Sequence, residues 1–584
     1  MLLQDAIYRF GSFELRTRTR EVYKNGIRLK VRPQPFQVLL ALVARSGDIV
    51  TRDELQRLLW PAETFVDFEH GLNTAIKELR GLLNDSASEA RYIETLPKLG
   101  YRVIVPVTRV ALDHAAKAKE KNATSPVASV AVLPFTNLSA DPENGFFADG
   151  ITEDIITHLA KIKSLKVISR ASVMAFKTRD CGLREISERL GASALLEGSV
   201  RHAGSRVRIV AQLVDAATDE HIWAETYDRD LTDIFAIQTD VALNIASALR
   251  AQLSHDERAR VGRPPTHDLG AYELYLHGRN WFNQFTDEGF RRSVLDCRAA
   301  IARDPCFALA WASIAEAYSE LCTAGGVLES PEETILLAKK AAKRALEIDE
   351  QLGEAHSISA LIQFAFEFDW AGAERSFLRA FELSPGSAEA HEHYGWLCSA
   401  LERYDDALRE LRHARELDPL LVQTDVVTTL LRAGRIEDAL EEAQRSAREQ
   451  PGTPRCHAVL GWALIFSGQE AVGIASLERA VALSPGATMF LSQLGQACAL
   501  SGDIKRAREI LQQLRDRSTR EFVSPYHFAY VYAGLAEADT AIDCLEEAFE
   551  RRSGAIHGIK GSFLFRNLRN HPRFKSLLRR MNLS

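Results

Sequence analysis

The segment FEHGLNTAIKELRGLL, residues 68–83, repeats apolar and polar positions with the period of an α-helix. Four apolar side chains recur at i, i+4, i+7 and i+11, namely Leu72, Ile76, Leu79 and Leu83. This stripe predicts an amphipathic helix that packs against a core through one face. A polar stripe lies one position further round and contains Asn73, Lys77 and Arg80. Such a stripe either contacts a groove of DNA or faces water, and the helix alone does not decide between the two.

The segments on either side of this helix complete a small domain over residues 1–106. Short β-rich runs joined by tight turns come first and predict antiparallel strands. Two helices follow, and the second starts at Thr51 with Glu54 three residues later, which is a capping-box pattern. After the amphipathic helix, RYIETLPKLGYRVIV predicts a hairpin with a turn that contains Gly100. Strands, helix, helix, loop, helix and hairpin are the order of a winged helix, a fold that places its last helix in the major groove.

Residues 107–126 and 127–255 differ in their apolar patterning. The first segment lacks an apolar stripe and is rich in alanine, lysine and small polar residues, which predicts a flexible linker. The second alternates apolar runs of strand length with amphipathic segments in the order β-α-β-α-β-β-β-α. This order predicts one small α/β sandwich. No glycine-rich phosphate-binding motif occurs in it, so we expect no nucleotide cofactor.

Residues 270–584 contain an internal repeat, which decides the architecture of this part of the chain. Four prolines, spaced by 34, 32 and 34 residues, mark it: Pro385, Pro419, Pro451 and Pro485. A small residue lies 12 positions before each of them, where two helices are expected to cross closely. Proline ends each second helix because it cannot extend one. The repeat predicts an α-helical superhelix whose inner face binds a peptide or protein, and the tail FRNLRNHPRFKSLLRRMNLS predicts a basic capping helix.

The charge of the chain is unevenly distributed. Residues 1–105 hold 16 Lys and Arg against 13 Asp and Glu, a net of +3, and residues 106–126 add +2. The whole chain has a formal net charge of −7, so residues 127–584 carry −12. A polyanionic partner should therefore meet the N-terminal part. No apolar stretch is long enough for a membrane helix, and the eight cysteines have no zinc-site spacing, so we expect a cytoplasmic protein without a metal.

Three families resemble the three folded parts. RPQPFQVLLALV, FVDFEHGLNTAIKELRGLL and YIETLPKLGYRVIVPV resemble the OmpR/PhoB-type winged helix, which also occurs in CadC- and ToxR-like regulators. VAVLPFTNLSADPENGFFADGITEDIITHLAKI and the strands that follow it resemble the TolB-N-terminal-like domain, and the repeats resemble the tetratricopeptide family. The expected fold class is thus multidomain, α+β then α: a winged helix, a small α/β sandwich and a tetratricopeptide-type superhelix. CadC-like proteins have a membrane helix after the DNA-binding domain, and this chain shows none.

The resemblance to the winged-helix family implies which residues contact DNA. The expected DNA-binding residues are Asn73, Thr74, Lys77, Arg80, His70, Lys98 and Arg102. Arg80 would pair with guanine and Asn73 with adenine, whereas Lys77 would contact a phosphate. Lys98 and Arg102 match hairpin positions that touch the backbone or the minor groove in the family. Glu78 is a departure, because relatives often place a basic residue there and a carboxylate repels phosphates.

These observations predict a regulator of transcription that recognises specific double-stranded DNA through residues 1–106. The repeats would bind a protein or peptide partner as the input, and the winged helices could pair as a homodimer on DNA. One alternative is an interaction scaffold whose winged helix has lost its affinity for DNA, as Glu78 and the weak positive charge would suggest. A second is an enzyme related to the adenylate cyclases that share the middle domain. No catalytic signature is present in the sequence, so we expect no enzyme activity.

Overall fold

The chain of 584 residues divides into two compact units, Met1–Pro126 and Val127–Ser584, in a computed structural model. The structure describes residues 6–10, 13–16, 21–24, 27–29, 31–59, 68–83, 85–86, 90–97, 99–105, 107–111, 128–139, 145–178, 181–323, 331–420, 424–552 and 556–583.

The first unit has three helices and two antiparallel sheets within the described residues. The helices are α1 (Pro33–Ala44), α2 (Arg52–Leu59) and α3 (Phe68–Leu83). The strands are β1 (Ala6–Phe10), β2 (Phe13–Arg16), β3 (Glu21–Lys24), β4 (Ile27–Leu29), β5 (Val50–Thr51), β6 (Ile93–Leu96), β7 (Gly100–Val103) and β8 (Val107–Ala111). One sheet has the order β4-β3-β2-β1-β8 and the other the order β5-β7-β6. The β6–β7 hairpin is the wing, so the predicted winged-helix architecture is confirmed.

The core of this unit comes from the apolar stripes of its helices. All four side chains of the predicted α3 stripe are buried: Leu72, Ile76, Leu79 and Leu83. The predicted capping box is also present at the start of α2. The backbone amide of Glu54 donates to Thr51 Oγ1 at 3.3 Å, and the amide of Thr51 donates to Glu54 Oε2 at 2.9 Å. Helix α3 is thereby held against α1 and α2 with its polar stripe on the outside.

The N-terminal sheet extends beyond the predicted end of the domain. Strand β8 pairs with β1 in antiparallel register, with Val110 opposite Ile7. Val107 packs against the core of the unit. The prediction of a linker that starts at residue 107 is therefore wrong for residues 107–111. The segment is rich in β-branched residues, and its backbone pairs with the edge of β1. That edge would otherwise present unpaired backbone groups.

The second unit begins with a mixed sheet and its helices. Strands β9 (Ala128–Val132), β10 (Thr136–Asn137), β11 (Leu165–Val167), β12 (Ala194–Ala203), β13 (Arg206–Asp215) and β14 (His221–Asp230) form it. The helices are α4 (Gly145–Ala160), α5 (Arg170–Met174), α6 (Leu183–Leu190), α7 (Ile234–Ala248) and α8 (His255–Val261). The main strand order is β11-β9-β12-β13-β14, parallel through β9 and antiparallel from β12 onward. This matches the predicted α/β sandwich.

Sixteen further helices pack as eight successive pairs in the described part of the chain. Their bounds are α9 (Leu269–Phe282), α10 (Asp287–Arg303), α11 (Ala308–Thr323), α12 (Pro331–Ile348), α13 (Gly353–Ile362), α14 (Trp370–Leu383), α15 (Ala388–Ala400), α16 (Tyr404–Leu417), α17 (Thr424–Arg432), α18 (Ile436–Glu449), α19 (Pro454–Phe466), α20 (Glu470–Leu483), α21 (Thr488–Leu500), α22 (Ile504–Ser518), α23 (Pro525–Gly534) and α24 (Ala538–Glu550). The small residues lie where two helices cross: a Cβ on Gly461 would come within 2.8 Å of the Gly473 carbonyl oxygen. The predicted helical repeat array is confirmed.

The C-terminal tail folds back across the first helices of several repeats. Gln496 Nε2 on α21 donates to the Leu564 carbonyl at 2.6 Å, and Asn567 Nδ2 donates to the Ala533 carbonyl at 2.7 Å. Helix α25 (Pro572–Arg580) confirms the predicted terminal helix. The residues before it are not part of a polar cap, because the 3₁₀ segment Phe563–Leu568 places its apolar side chains in the core.

The α/β sandwich and the repeat array share one hydrophobic core. The amide of Gly386, after α14, donates to the Ala160 carbonyl at 3.0 Å, and the amide of Ser169 donates to the Leu417 carbonyl at 2.8 Å. The predicted ranges 127–255 and 270–584 thus separate two kinds of secondary structure within one packed unit. Among the described residues, no helix is both long and apolar enough to cross a bilayer.

A buried polar cluster joins the sandwich to the first repeat. Gln238 Nε2 on α7 donates to Asp154 Oδ2 on α4 at 2.8 Å, and the hydroxyl of Tyr272 on α9 also donates to that oxygen. All three side chains are buried. Burial raises the pKa of Asp154 to about 7. The protonated form of Asp154 therefore stabilises the junction, because burying an ionised carboxylate is costly.

Replacement of Asp154 by asparagine should flatten the pH dependence of stability. The pKa of Asp154 in the folded protein lies above its ordinary value of 3.8, so the stabilisation is complete below about pH 4 and is lost as the pH rises from there through about 7. We expect the free energy of unfolding of Asp154→Asn to exceed that of the wild type by roughly 1–3 kcal/mol at pH 8.5 and by much less at pH 5. Urea titrations followed by tryptophan fluorescence measure this. The same change at exposed Asp516 is the control, and an equal response of both variants would contradict the assignment.

Candidate nucleic-acid interface

The outer face of α3 presents three of the predicted contact residues. Asn73, Thr74 and Lys77 are exposed, whereas Leu72 and Ile76 beside them are buried. A helix packed through one stripe and polar on the other can enter the major groove without exposing its core. The geometry of the unit therefore allows this face to meet DNA.

Glu78, the residue that argued against DNA binding, has a cationic partner in the structure. Arg32 Nη1, just before α1, donates to Glu78 Oε1 at 3.1 Å. The side chain of Glu78 is 37% exposed and that of Arg32 is 80% exposed. Such an exposed pair adds little to stability. It does neutralise the carboxylate, so Glu78 contributes no net negative charge to the face.

Arg80 is held by the wing. Its Nη2 donates to the Ile93 carbonyl at 3.0 Å and to Thr95 Oγ1 at 2.8 Å, both on β6. A bidentate contact with guanine would require this guanidinium to leave both acceptors. As placed, Arg80 ties the C-terminal half of α3 to the hairpin, and the sequence-based prediction of a guanine contact stays a prediction.

Asn73 belongs to a chain of hydrogen bonds that runs from α2 through the wing to α3. Arg52 Nη2 donates to the hydroxyl of Tyr101 at 3.0 Å. That hydroxyl donates to Asn73 Oδ1 at 3.3 Å. The Arg52 guanidinium also lies 5.3 Å from the centre of the Tyr101 ring, within the range of a cation–π contact.

The remaining predicted residues lie on the hairpin and at the start of α3. Arg102 forms an ion pair across the wing, with Nη2 donating to Glu94 Oε2 at 2.6 Å. Its charge is therefore largely neutralised where it stands. Lys98 lies outside the described residues. His70 lies in the first turn of α3, and its side chain is outside the part that the structure describes.

Three residues of this region were not among the sequence-based candidates: Arg32, Arg52 and Tyr101. Each acts through a partner at least 28 positions away in the sequence, since Tyr101 meets Asn73, Arg52 meets Tyr101 and Arg32 meets Glu78. Their spacing carries no periodic signal. The sequence pattern therefore could not show which side chains surround and hold the polar face of α3.

A comparison with protein-family models gives the class of this unit. Residues 26–103 match the family described as "Transcriptional regulatory protein, C terminal". This range contains α1, α2, α3 and the wing. The N-terminal unit is therefore an OmpR/PhoB-type winged-helix domain of that family, as its motifs had indicated.

Curated relatives cover different shares of the chain. The chain is 46% identical over 190 residues to the putative adenylate cyclase 3 of Rhizobium meliloti, a match that covers 32% of each chain. It is 21% identical over 400 residues to the transcriptional regulator HilA of Salmonella typhimurium, with 67% of each chain covered. It is 30% identical over 106 residues to the transcriptional activator CadC of Escherichia coli, covering 18% of this chain and 20% of CadC. The chain thus spans about a third of the length of the cyclase relative.

Proposed function

We propose that this chain is a cytoplasmic regulator of transcription that binds specific double-stranded DNA through its winged helix. The observation that carries the proposal is the outer face of α3, where Asn73, Thr74 and Lys77 are exposed on a helix fixed by its buried stripe. The family match of residues 26–103 and the two relatives named as regulators support it. The N-terminal charge of +3 favours a polyanion at this unit.

The contacts divide into those that position the domain and those that select bases. Lys77 is proposed to meet a phosphate, because a lysine ammonium is a point charge without the fork that reads a base edge. Asn73 and Thr74 are proposed to meet base edges. We assign Arg80 to positioning the helix on the wing, because both acceptors that it holds belong to β6. Lys98, Arg102 and His70 remain proposed contacts to the DNA backbone or the minor groove.

The scaffold alternative has less support than the sequence suggested. It rested on Glu78 and on the weak charge of the N-terminal part, and Arg32 neutralises that carboxylate. For the enzyme alternative, one relative is named a putative adenylate cyclase, but the match covers only 32% of that protein. We propose no catalytic role and no cofactor for this chain.

We propose the repeat array as the input, where a protein or peptide partner binds. The tail already covers the first helices α17, α19, α21 and α23, so the partner would meet the earlier ones. Glu316, Glu389 and Glu392 lie on α11 and α15 in this region. Burial, and then the nearby carboxylate of Asp425, raise the pKa of Glu392 to about 8. Pairing of two winged helices on DNA is also proposed, with half-sites about one helical turn apart.

Binding of the full chain to DNA tests the proposal. Fragments selected from random genomic DNA supply a site, and its affinity is then measured across salt concentrations. Lys77→Ala should weaken binding to all sequences about equally and reduce the slope of log affinity against log salt by about 1, because one phosphate contact is lost. Lys505→Ala is the matched control, since Lys505 is an exposed lysine of the second unit. Selection that enriches no sequence, or an unchanged slope, would favour the scaffold.

A further inference from the structure

We propose that Arg52 and Tyr101 fix the amide of Asn73 so that it offers only hydrogen-bond donors to DNA. Asn73 then favours the acceptor edges of guanine (N7 and O6) or thymine (O4) and does not form the two-bond pair with adenine. This inference rests on the proposed function, because it names what the same helix reads. It also revises the adenine contact expected from the sequence.

The direction of the hydrogen bonds follows from the chemistry of their first member. A guanidinium only donates, so the Tyr101 hydroxyl must accept from Arg52 Nη2. The single hydroxyl hydrogen of Tyr101 is then available for Asn73, whose Oδ1 lies 3.3 Å away. The carbonyl oxygen of the amide is thereby turned toward Tyr101. Asn73 presents its Nδ2 group, with two hydrogens, on the opposite side.

The base preference follows from this orientation. Asparagine reads adenine with both ends of its amide at once: Oδ1 accepts from N6 and Nδ2 donates to N7. Both ends must face the same base edge for that pair. Here Oδ1 faces a tyrosine that is only 2% exposed, inside the domain. The remaining Nδ2 group donates, and in the major groove guanine offers it two adjacent acceptors and thymine offers O4. Adenine offers N7 alone, next to its N6 donor, which disfavours a second donor there.

Tyr101 cannot easily follow a rotating amide. Its backbone lies in the middle strand of the wing sheet, opposite Val50 of β5 and Thr95 of β6. Its ring is covered by the Arg52 guanidinium. Arg52 is held in turn, because its backbone amide donates to the Leu99 carbonyl at 3.1 Å. Two paired strands and the start of α2 therefore set the position of one hydroxyl group.

The hydrogen-bond chain from Arg52 through Tyr101 to Asn73 is called the relay below. Selection of DNA sites by the full chain tests it in two steps. Asn73→Ala first identifies the base position at which the wild-type preference disappears. At that position the wild type should prefer guanine or thymine over adenine. Tyr101→Phe removes the hydroxyl and keeps the ring, so the amide can turn. We expect adenine to improve there relative to guanine or thymine by roughly fivefold to a hundredfold.

Tyr92→Phe is the matched control. Tyr92 lies in the same unit, with its ring against Phe10 and Phe13, and should leave the base preference unchanged. A merely structural role of Tyr101 would weaken all sites equally and would overturn the relay. So would a wild-type preference for adenine, or a preference that Asn73→Ala does not change. A chain that binds DNA with an unchanged preference refutes only the relay, whereas a chain that binds no DNA refutes the proposed function as well.

Discussion

Replacing Phe565 by alanine should destabilise the 127–584 unit by about 3–5 kcal/mol, the usual range for a buried phenylalanine. Phe565 is fully buried. Its ring stacks on Tyr530 at 5.3 Å and meets Tyr526 at 5.5 Å, both on α23. The loss should exceed the free energy of transferring the removed ring from water to the protein interior. The tail around it is hydrogen bonded to α21 and cannot collapse into the cavity, which adds its own cost. Urea unfolding followed by tryptophan fluorescence measures it, since six of the seven tryptophans lie in this unit.

Phe285→Ala is the control for this variant, because Phe285 is 66% exposed in the same unit. It should change the free energy of unfolding by about 0.5 kcal/mol or less. If Phe565→Ala were as mild as Phe285→Ala, the tail would not be part of the packed array. A capping helix that lies on the surface, as the sequence suggested, would then describe it better.

The sequence predicted the fold well wherever one face of an element had to be buried. The α3 stripe, the capping box at Thr51 and the close approach at Gly473, 12 positions before Pro485, all appear in the structure as expected. These features are local, because each depends on a period, a cap or a missing side chain within a few residues. The helical repeat is equally local, since each unit packs mainly on its neighbours.

The features that the sequence did not predict depend on partners far along the chain. Strand β8 is a strand because β1 lies beside it, about 100 positions earlier. Phe565 is buried by residues of α23 and not by its own helix. The short helix α5 after Ser169 lies within LKVISRASV, residues 165–173, whose pattern predicts a strand. Ser169 caps it, accepting from the amide of Ser172 at 3.2 Å, and this signal was present in the sequence.

The features of the candidate interface also fall into local ones, which the sequence predicted, and ones that depend on distant partners, which it did not. Helical period alone gave the exposed positions of Asn73 and Lys77. Period could not show that Arg32 pairs with Glu78 or that Arg80 turns to the wing, since these partners are 46 and 13 to 15 positions away. Glu78 and Arg80, the side chains with the strongest apparent chemistry, are therefore the ones whose partners the period did not show.

Replacing Gly100 by alanine should disrupt the wing and abolish specific DNA binding. A Cβ at this position would lie 2.1 Å from the Val50 carbonyl oxygen and 2.9 Å from Thr51 Cα. Both are backbone atoms, so no rotamer change relieves the clash, and β5 and β7 must separate. We expect a loss of about 3 kcal/mol or more in the first unit, at or above the upper end for overpacking. Because Tyr101 follows directly on β7, its hydroxyl would also leave Asn73.

Hydrogen exchange measured by mass spectrometry on the full chain separates this effect from general misfolding. Gly100→Ala should lose protection at β5 and in the wing while the 127–584 unit keeps its own. Gly81→Ala is the matched control, because Gly81 is an exposed position of α3 where an added Cβ meets nothing within 4 Å. That variant should gain roughly 0.5–1 kcal/mol from the higher helix propensity of alanine. Equal protection in both variants would mean that β5 does not pair with β7 at Gly100, and the wing would then lack the support on which Tyr101 depends.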